Sequence, residues 1–179
     1  PGRLLETIRS RLVELRFAPL SSPQIETVLR AEDVAPADAA LAARLGQGSI
    51  TRARSVLSDE EGGLRANVIG WFFEVVRGAT PQQNWVTRET LDEGLETLKT
   101  LLRDWVALSL GGKAVPVLAA DCSAALKALP KIEPQAAARA LMRVTDAQKI
   151  ARTNVSPALV LDMVRMDLSS LVRARTART

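Results

Sequence analysis

The chain has 179 residues and a mass of 19.3 kDa, which suits one domain or two small ones. Apolar residues make up 47% and aromatic residues 3%, with no tyrosine, so a packed core is available and wholesale disorder is excluded. Alanine, leucine and arginine dominate, which favours an all-α fold. Histidine is absent, which removes the commonest general base, the Ser–His and Cys–His nucleophile pairs and the usual zinc ligand. A single cysteine, Cys122, excludes internal disulfides and CxxC chemistry and reads as a small buried apolar residue. The composition weighs against a self-sufficient enzyme.

Lysine and arginine number 24 against 20 acidic residues, a formal charge of +4. Three of these cations, Arg173, Arg175 and Arg178, lie in a C-terminal stretch with no acid after Asp167. Elsewhere the charges nearly balance, so no broad nucleic-acid face is expected. The tail reads as a solvated terminus, with a contact to DNA as the alternative. No stretch reaches the roughly 18 apolar residues of a membrane span, and no signal peptide is visible at the start. A soluble, cytoplasmic protein without a membrane partner is the expectation. The first residue is Pro1 rather than methionine, so the chain is expected to be part of a longer one.

In chain order, residues 1–20 read as a connector, with a strand expected at Val13–Phe17 and ended by Pro19. Residues 21–62 read as three short helices. The first starts at Ser21-Ser22-Pro23 and turns Ile25, Val28 and Leu29 to one face. The second opens at Pro36 and stops at Gly46 and Gly48; Ser49 caps the third. So small a unit is expected to need a neighbour. The polar run Ser58–Gly63 marks a domain boundary.

Residues 63–179 read as a bundle of five helices. The first runs from Leu64 to Gly78. The longest is expected from Thr87 to Gly111-Gly112, with Leu91, Leu95, Leu98, Leu102 and Trp105 in one seam. A short helix covers about 117–128, and two more open at Pro134 and at Ser156-Pro157. Apolar Leu159, Val160, Met163, Val164 and Met166 lie on the last.

No catalytic constellation emerges. Gly112-Lys113 lacks the upstream glycine of a P-loop, has Ala114 in place of Ser/Thr, and follows a helix rather than a strand. Asp59-Glu60-Glu61 reads as a solvated turn, and Asp121 and Asp146 have no partner at an interpretable spacing. No metal or cofactor is expected.

Three segments are more specific. Thr7-Ile8-Arg9-Ser10-Arg11 leads into Val13–Phe17 and then Pro19-Leu20. Leu41-Ala42-Ala43-Arg44-Leu45-Gly46-Gln47-Gly48-Ser49 is followed by Arg52-Ala53. Thr153–Asp162 holds Asn154, Pro157, Leu159 and Leu161 in an Asn-x-x-Pro-x-Leu-x-Leu-Asp pattern. In this order the segments resemble the AAA+ subunits of bacterial clamp loaders, and among them the delta-prime family of DNA polymerase III.

The resemblance implies a short remnant of the AAA+ nucleotide-binding core in residues 1–20, most of that core being absent. A three-helix lid in 21–62 and a five-helix collar in 63–179 would follow. Arg11 would be an arginine finger acting in trans on a neighbouring subunit's ATP, with Ser10 positioning the motif; Leu12 stands where the family has cysteine. Such fingers accelerate phosphoryl transfer by about 10³–10⁵-fold in other NTPases.

In the lid motif of Gly48, Ser49 and Arg52, ATP-hydrolysing gamma/tau subunits place a phosphate-sensing arginine where this chain has Thr51. Arg52 comes one residue later, about 100° further round a helix. The resemblance therefore implies a subunit that does not itself hydrolyse ATP. Its partners would be gamma/tau and delta subunits, with the sliding clamp and primed DNA reached through the complex. The alternatives are the same portion of a gamma/tau-type ATPase, or an unrelated helical module binding DNA through its arginine-rich tail.

Overall fold

The computed structural model describes residues 18–57, 63–110 and 116–176, with side chains to Leu171. Among the described residues the fold is all-α, with eight α-helices, one 3₁₀ turn and no strand. The expected strand at Val13–Phe17, the run Ser58–Gly62, the Gly111–Ala114 segment and the side chains of Arg173, Arg175 and Arg178 lie outside the described residues.

Helix α1 spans Ser22–Ala31. The Gln24 amide oxygen accepts the Ser21 backbone N–H at 2.8 Å, and Pro23 sits in the first turn, where no N–H is required. Helix α2, Pro36–Leu45, likewise opens on a proline and ends in a turn where Gln47 has φ 45° and Gly48 φ 88°. Helix α3, Ile50–Leu57, begins with the Arg52 N–H donating to Ser49 Oγ at 3.3 Å. Ile25, Leu29, Ala39, Ala42, Ala43 and Ala53 close a small core between the three. Leu45 lies in the larger core beyond it, and Leu41 and Val56 pack against that core.

Helix α4, Leu64–Val76, buries Val68, Trp71, Phe72, Phe73, Val75 and Val76, residues spread round much of its circumference. A helix apolar on so many sides belongs inside a bundle. Helix α5, Leu91–Ser109, packs against it, and its expected seam of Leu91, Leu95, Leu98, Leu102 and Trp105 is buried throughout.

The helix starts at Leu91 rather than Thr87. Thr87 and Thr90 cap each other, each backbone N–H donating to the other's hydroxyl, at 2.9 and 3.2 Å. Thr90 Oγ1 also donates to the Trp85 carbonyl at 2.6 Å. These bonds hold the chain in a turn for one step before the helix begins.

Asp104 on α5 is fully buried, yet it accepts the Ala119 N–H at 2.7 Å and Arg103 Nη1 at 2.7 Å. The 3₁₀ turn Ala120–Cys122 and the short α6, Ser123–Lys127, follow, and Trp105 Nε1 donates to the Pro130 carbonyl at 2.9 Å. Helix α7, Pro134–Ala151, packs on α5 and on α8, Pro157–Thr176. At 20 residues α8 is the longest helix, one more than α5. No described helix is long and apolar enough to cross a membrane.

Candidate functional site

Two places gather the residues singled out from the sequence. The first is a cleft of about 480 Å³ between α3 and the N-terminal half of α5, with α7 at its far edge. Its α5 wall carries Asp92, Glu93 and Glu96, and Glu89 joins them from the turn just ahead of the helix. Asp92 and Glu93 lie in the first turn of the helix, where the backbone dipole favours negative charge, and Glu96 follows one turn on.

The α3 side answers with three polar contacts. Ser55 Oγ donates to Glu93 Oε1, Arg52 Nη1 stands 3.6 Å from Glu96 Oε1, and Gln47 Nε2 donates to Thr100 Oγ1 at 3.4 Å. Residues 93, 96 and 100 rise along α5 as 55, 52 and 47 descend, so the contacts form an antiparallel ladder. At the far edge Arg152 Nη2 reaches Asp92 Oδ2 at 3.4 Å.

Glu96 is the centre of this wall. Burial would raise its carboxyl pKa. Hydrogen bonds from Gln148 Nε2 at 2.8 Å and Lys99 Nζ at 2.9 Å, with the charges of Lys99 and Arg52, outweigh burial and hold it below the usual range. On the cleft's other flank Arg65 pairs with Asp121 at 2.8 Å and holds that carboxyl low despite its burial. Across the cleft Arg52 faces Glu96 and Arg152 faces Asp92, while Arg65 is engaged with Asp121. No cluster able to hold a metal ion exists among the described residues.

The second place is the outer face of α8. Val160, Leu161, Val164 and Leu168 point into the bundle, whereas Leu159, Met163 and Met166 are 61%, 47% and 67% exposed. These three are spaced four and three residues apart, so they line one apolar stripe on the solvent side.

The lid and collar motifs are thereby divided. Gly48 and Ser49 form the turn and cap ahead of α3, and Arg52 points to α5. Asn154 is exposed and Pro157 half-buried at the start of α8, Leu159 lies on the stripe, and Leu161 is core. Ser10 and Arg11 lie outside the described residues.

Sequence reasoning missed the ladder on α5, although the spacing of Glu89, Asp92, Glu93 and Glu96 was the available signal. It also grouped Met163 and Met166 with the apolar residues of the last helix without separating the outer stripe from the inner one. No known protein-family model, curated protein or solved structure matches the chain.

Proposed function

We propose that the chain is the lid and collar portion of a delta-prime-type subunit of a bacterial clamp loader. In this reading α1–α3 are the lid and α4–α8 the collar. The subunit does not hydrolyse ATP. It assembles with gamma/tau and delta subunits through its collar and offers Arg11 in trans to a neighbour's ATP, for loading of the sliding clamp onto primed DNA. The protein would then act within the DNA polymerase III holoenzyme, with no cofactor of its own.

The observation that carries the reading is the exposed stripe of Leu159, Met163 and Met166, which starts inside the segment resembling the family's collar motif. A collar subunit needs an apolar helix face left over after its own core is closed. Three short helices ahead of a bundle of five support the same reading. So does Thr51 at the position where gamma/tau subunits place the sensing arginine, with Arg52 one residue later turned to Glu96 on α5, and this favours delta-prime over gamma/tau.

The test is reconstitution of the full-length protein with its gamma/tau and delta subunits. Arg11→Ala is expected to leave assembly intact and to lower DNA- and clamp-stimulated ATPase by about 10³-fold or more at the interface it serves. Met163→Glu is expected to weaken assembly itself. Assembly with unchanged ATPase in Arg11→Ala would remove the finger from the reading. No complex with the unaltered protein would sink the reading as a whole.

A further inference from the structure

The turn Gly46-Gln47-Gly48 is where three parts of the chain meet. On one side the Leu20 N–H donates to the Gly48 carbonyl at 3.0 Å, and a Cβ on Gly48 would stand 2.5 Å from Pro19 Cβ. On the second side a Cβ on Gly46 would stand 2.9 Å from Ala53 Cβ and 2.9 Å from the Ser49 carbonyl oxygen, so the turn is packed against α3. On the third side the Gln47 amide reaches over to Thr100, a buried residue of α5.

Gln47 makes this reach from a left-handed backbone conformation, φ 45°, which a side chain with a Cβ adopts at a cost. Such outliers persist where the surroundings impose them, and they concentrate where a fold must hold a particular relation between parts. Here the imposed relation is visible. The strained residue makes the last contact of the ladder that continues through Arg52–Glu96 and Ser55–Glu93.

Two different cores lie on either side of this ladder, one within α1–α3 and one within the bundle. Among the described residues of the three-helix unit, Leu41, Leu45 and Val56 carry apolar contact to the core of the bundle. The cleft beside them is bridged from the three-helix unit to α5 by Arg52–Glu96 and Ser55–Glu93, which is the arrangement of a joint.

We propose that Gln47 and Arg52 form a mechanical joint that sets the angle between the three-helix unit and the bundle. The bond from Leu20 to Gly48 ties the segment entering at Pro19 to the same joint, so that a shift of that segment and a shift of the bundle are coupled. The joint follows from geometry alone and stands without the clamp-loader reading.

The experiment is a double electron–electron resonance measurement between spin labels at Glu26→Cys on α1 and Ala138→Cys on α7, in the chain with Cys122→Ala. Ala138 is exposed and Glu26 half-buried, and the two belong to different units. The parent is expected to give one narrow distance distribution. Gln47→Gly suits the left-handed turn better than glutamine does, so it preserves the backbone while deleting the contact to Thr100. It is expected to widen the distribution while helical content by circular dichroism stays unchanged.

Arg52→Gln is expected to widen it as well. Raising NaCl from about 0.05 to 1 M, which shortens the screening length several-fold, is expected to widen the parent and to affect Arg52→Gln much less. A parent distribution that is already broad would overturn the proposal. So would a Gln47→Gly distribution as narrow as the parent's, or one that broadens only together with loss of helical signal.

Discussion

The indole of Trp85 fills the space that a side chain at Gly94 would need. A Cβ on Gly94 would stand 2.3 Å from Trp85 Cζ3 and 2.9 Å from Cη2. The same ring is 6% exposed and meets Trp71 edge-on, with centroids 6.0 Å apart, so its room to move aside is small. Alanine is a better helix former than glycine by about 1 kcal/mol, yet overpacking a closed core costs about 1–3 kcal/mol. Gly94→Ala is therefore expected to lower stability by up to about 2 kcal/mol, read as a lower midpoint in urea unfolding followed by tryptophan fluorescence. An unchanged or higher midpoint would show that the indole can yield.

The two faces of α8 are expected to respond to mutation in opposite ways. Leu161 is fully buried, so Leu161→Ala leaves a cavity and is expected to cost about 2–5 kcal/mol. Leu159→Ser and Met166→Ser remove apolar groups already in water, and each is expected to change stability by less than about 0.5 kcal/mol. Thermal unfolding of the three variants decides between the outer stripe and a hidden part of the core. A large loss from either serine variant would place that side chain inside.

Acid should loosen the contact between α3 and α5. The Glu96 carboxyl is held below its usual value of 4.5 in the folded chain, so ionisation favours the native state. Its contribution is fully present above that value and is lost as pH falls through the lowered one. Melting temperature is expected to fall as pH drops below about 4.5, and Glu96→Gln is expected to flatten part of that fall. Asp121, held low by Arg65 on the other flank, supplies a slope that persists in the variant. Identical profiles for variant and parent would mean that Glu96 contributes nothing through its charge.

Cys122 offers a clean chemical readout because it is the only thiol in the chain. Burial, and then the neighbouring Asp121 carboxylate, push its pKa from the usual 9.0 up to about 11. At pH 8 the thiolate fraction is then about a hundredfold smaller in the folded chain than in the unfolded one, and burial slows access further. Ellman's reagent is expected to react slowly with the native protein and rapidly in guanidinium. Equal rates would mean that the turn at Ala120–Cys122 opens readily.

Much of the fold was legible because its signals were local. Pro36 and Pro134 opened helices, Ser21 met Gln24 in a cap, and the leucine seam of α5 gave a stripe that could only face inward. Where reading and structure parted, the cause was a contact beyond the reach of periodicity. The start of α5 is set by two threonine hydroxyls, which hydropathy does not register. On α8 apolar residues occur on both sides, so pattern alone cannot say that Val160 and Val164 turn inward while Met163 turns outward. The ladder was hidden for a third reason: its partners are up to 53 residues apart in sequence.

The small core of α1–α3 is built of four alanines around Ile25 and Leu29. Methyl groups bring helix backbones close together, and the alanines themselves have no side chain that can rotate out of the way. An added carbon at Ala42, Ala43 or Ala53 cannot be absorbed locally; it has to displace a whole helix. Because α2 and α3 end and begin at the turn that carries Gln47, such a displacement would emerge at their rim as a tilt. The three helices thus behave as a calibrated spacer, whose thickness is translated into direction.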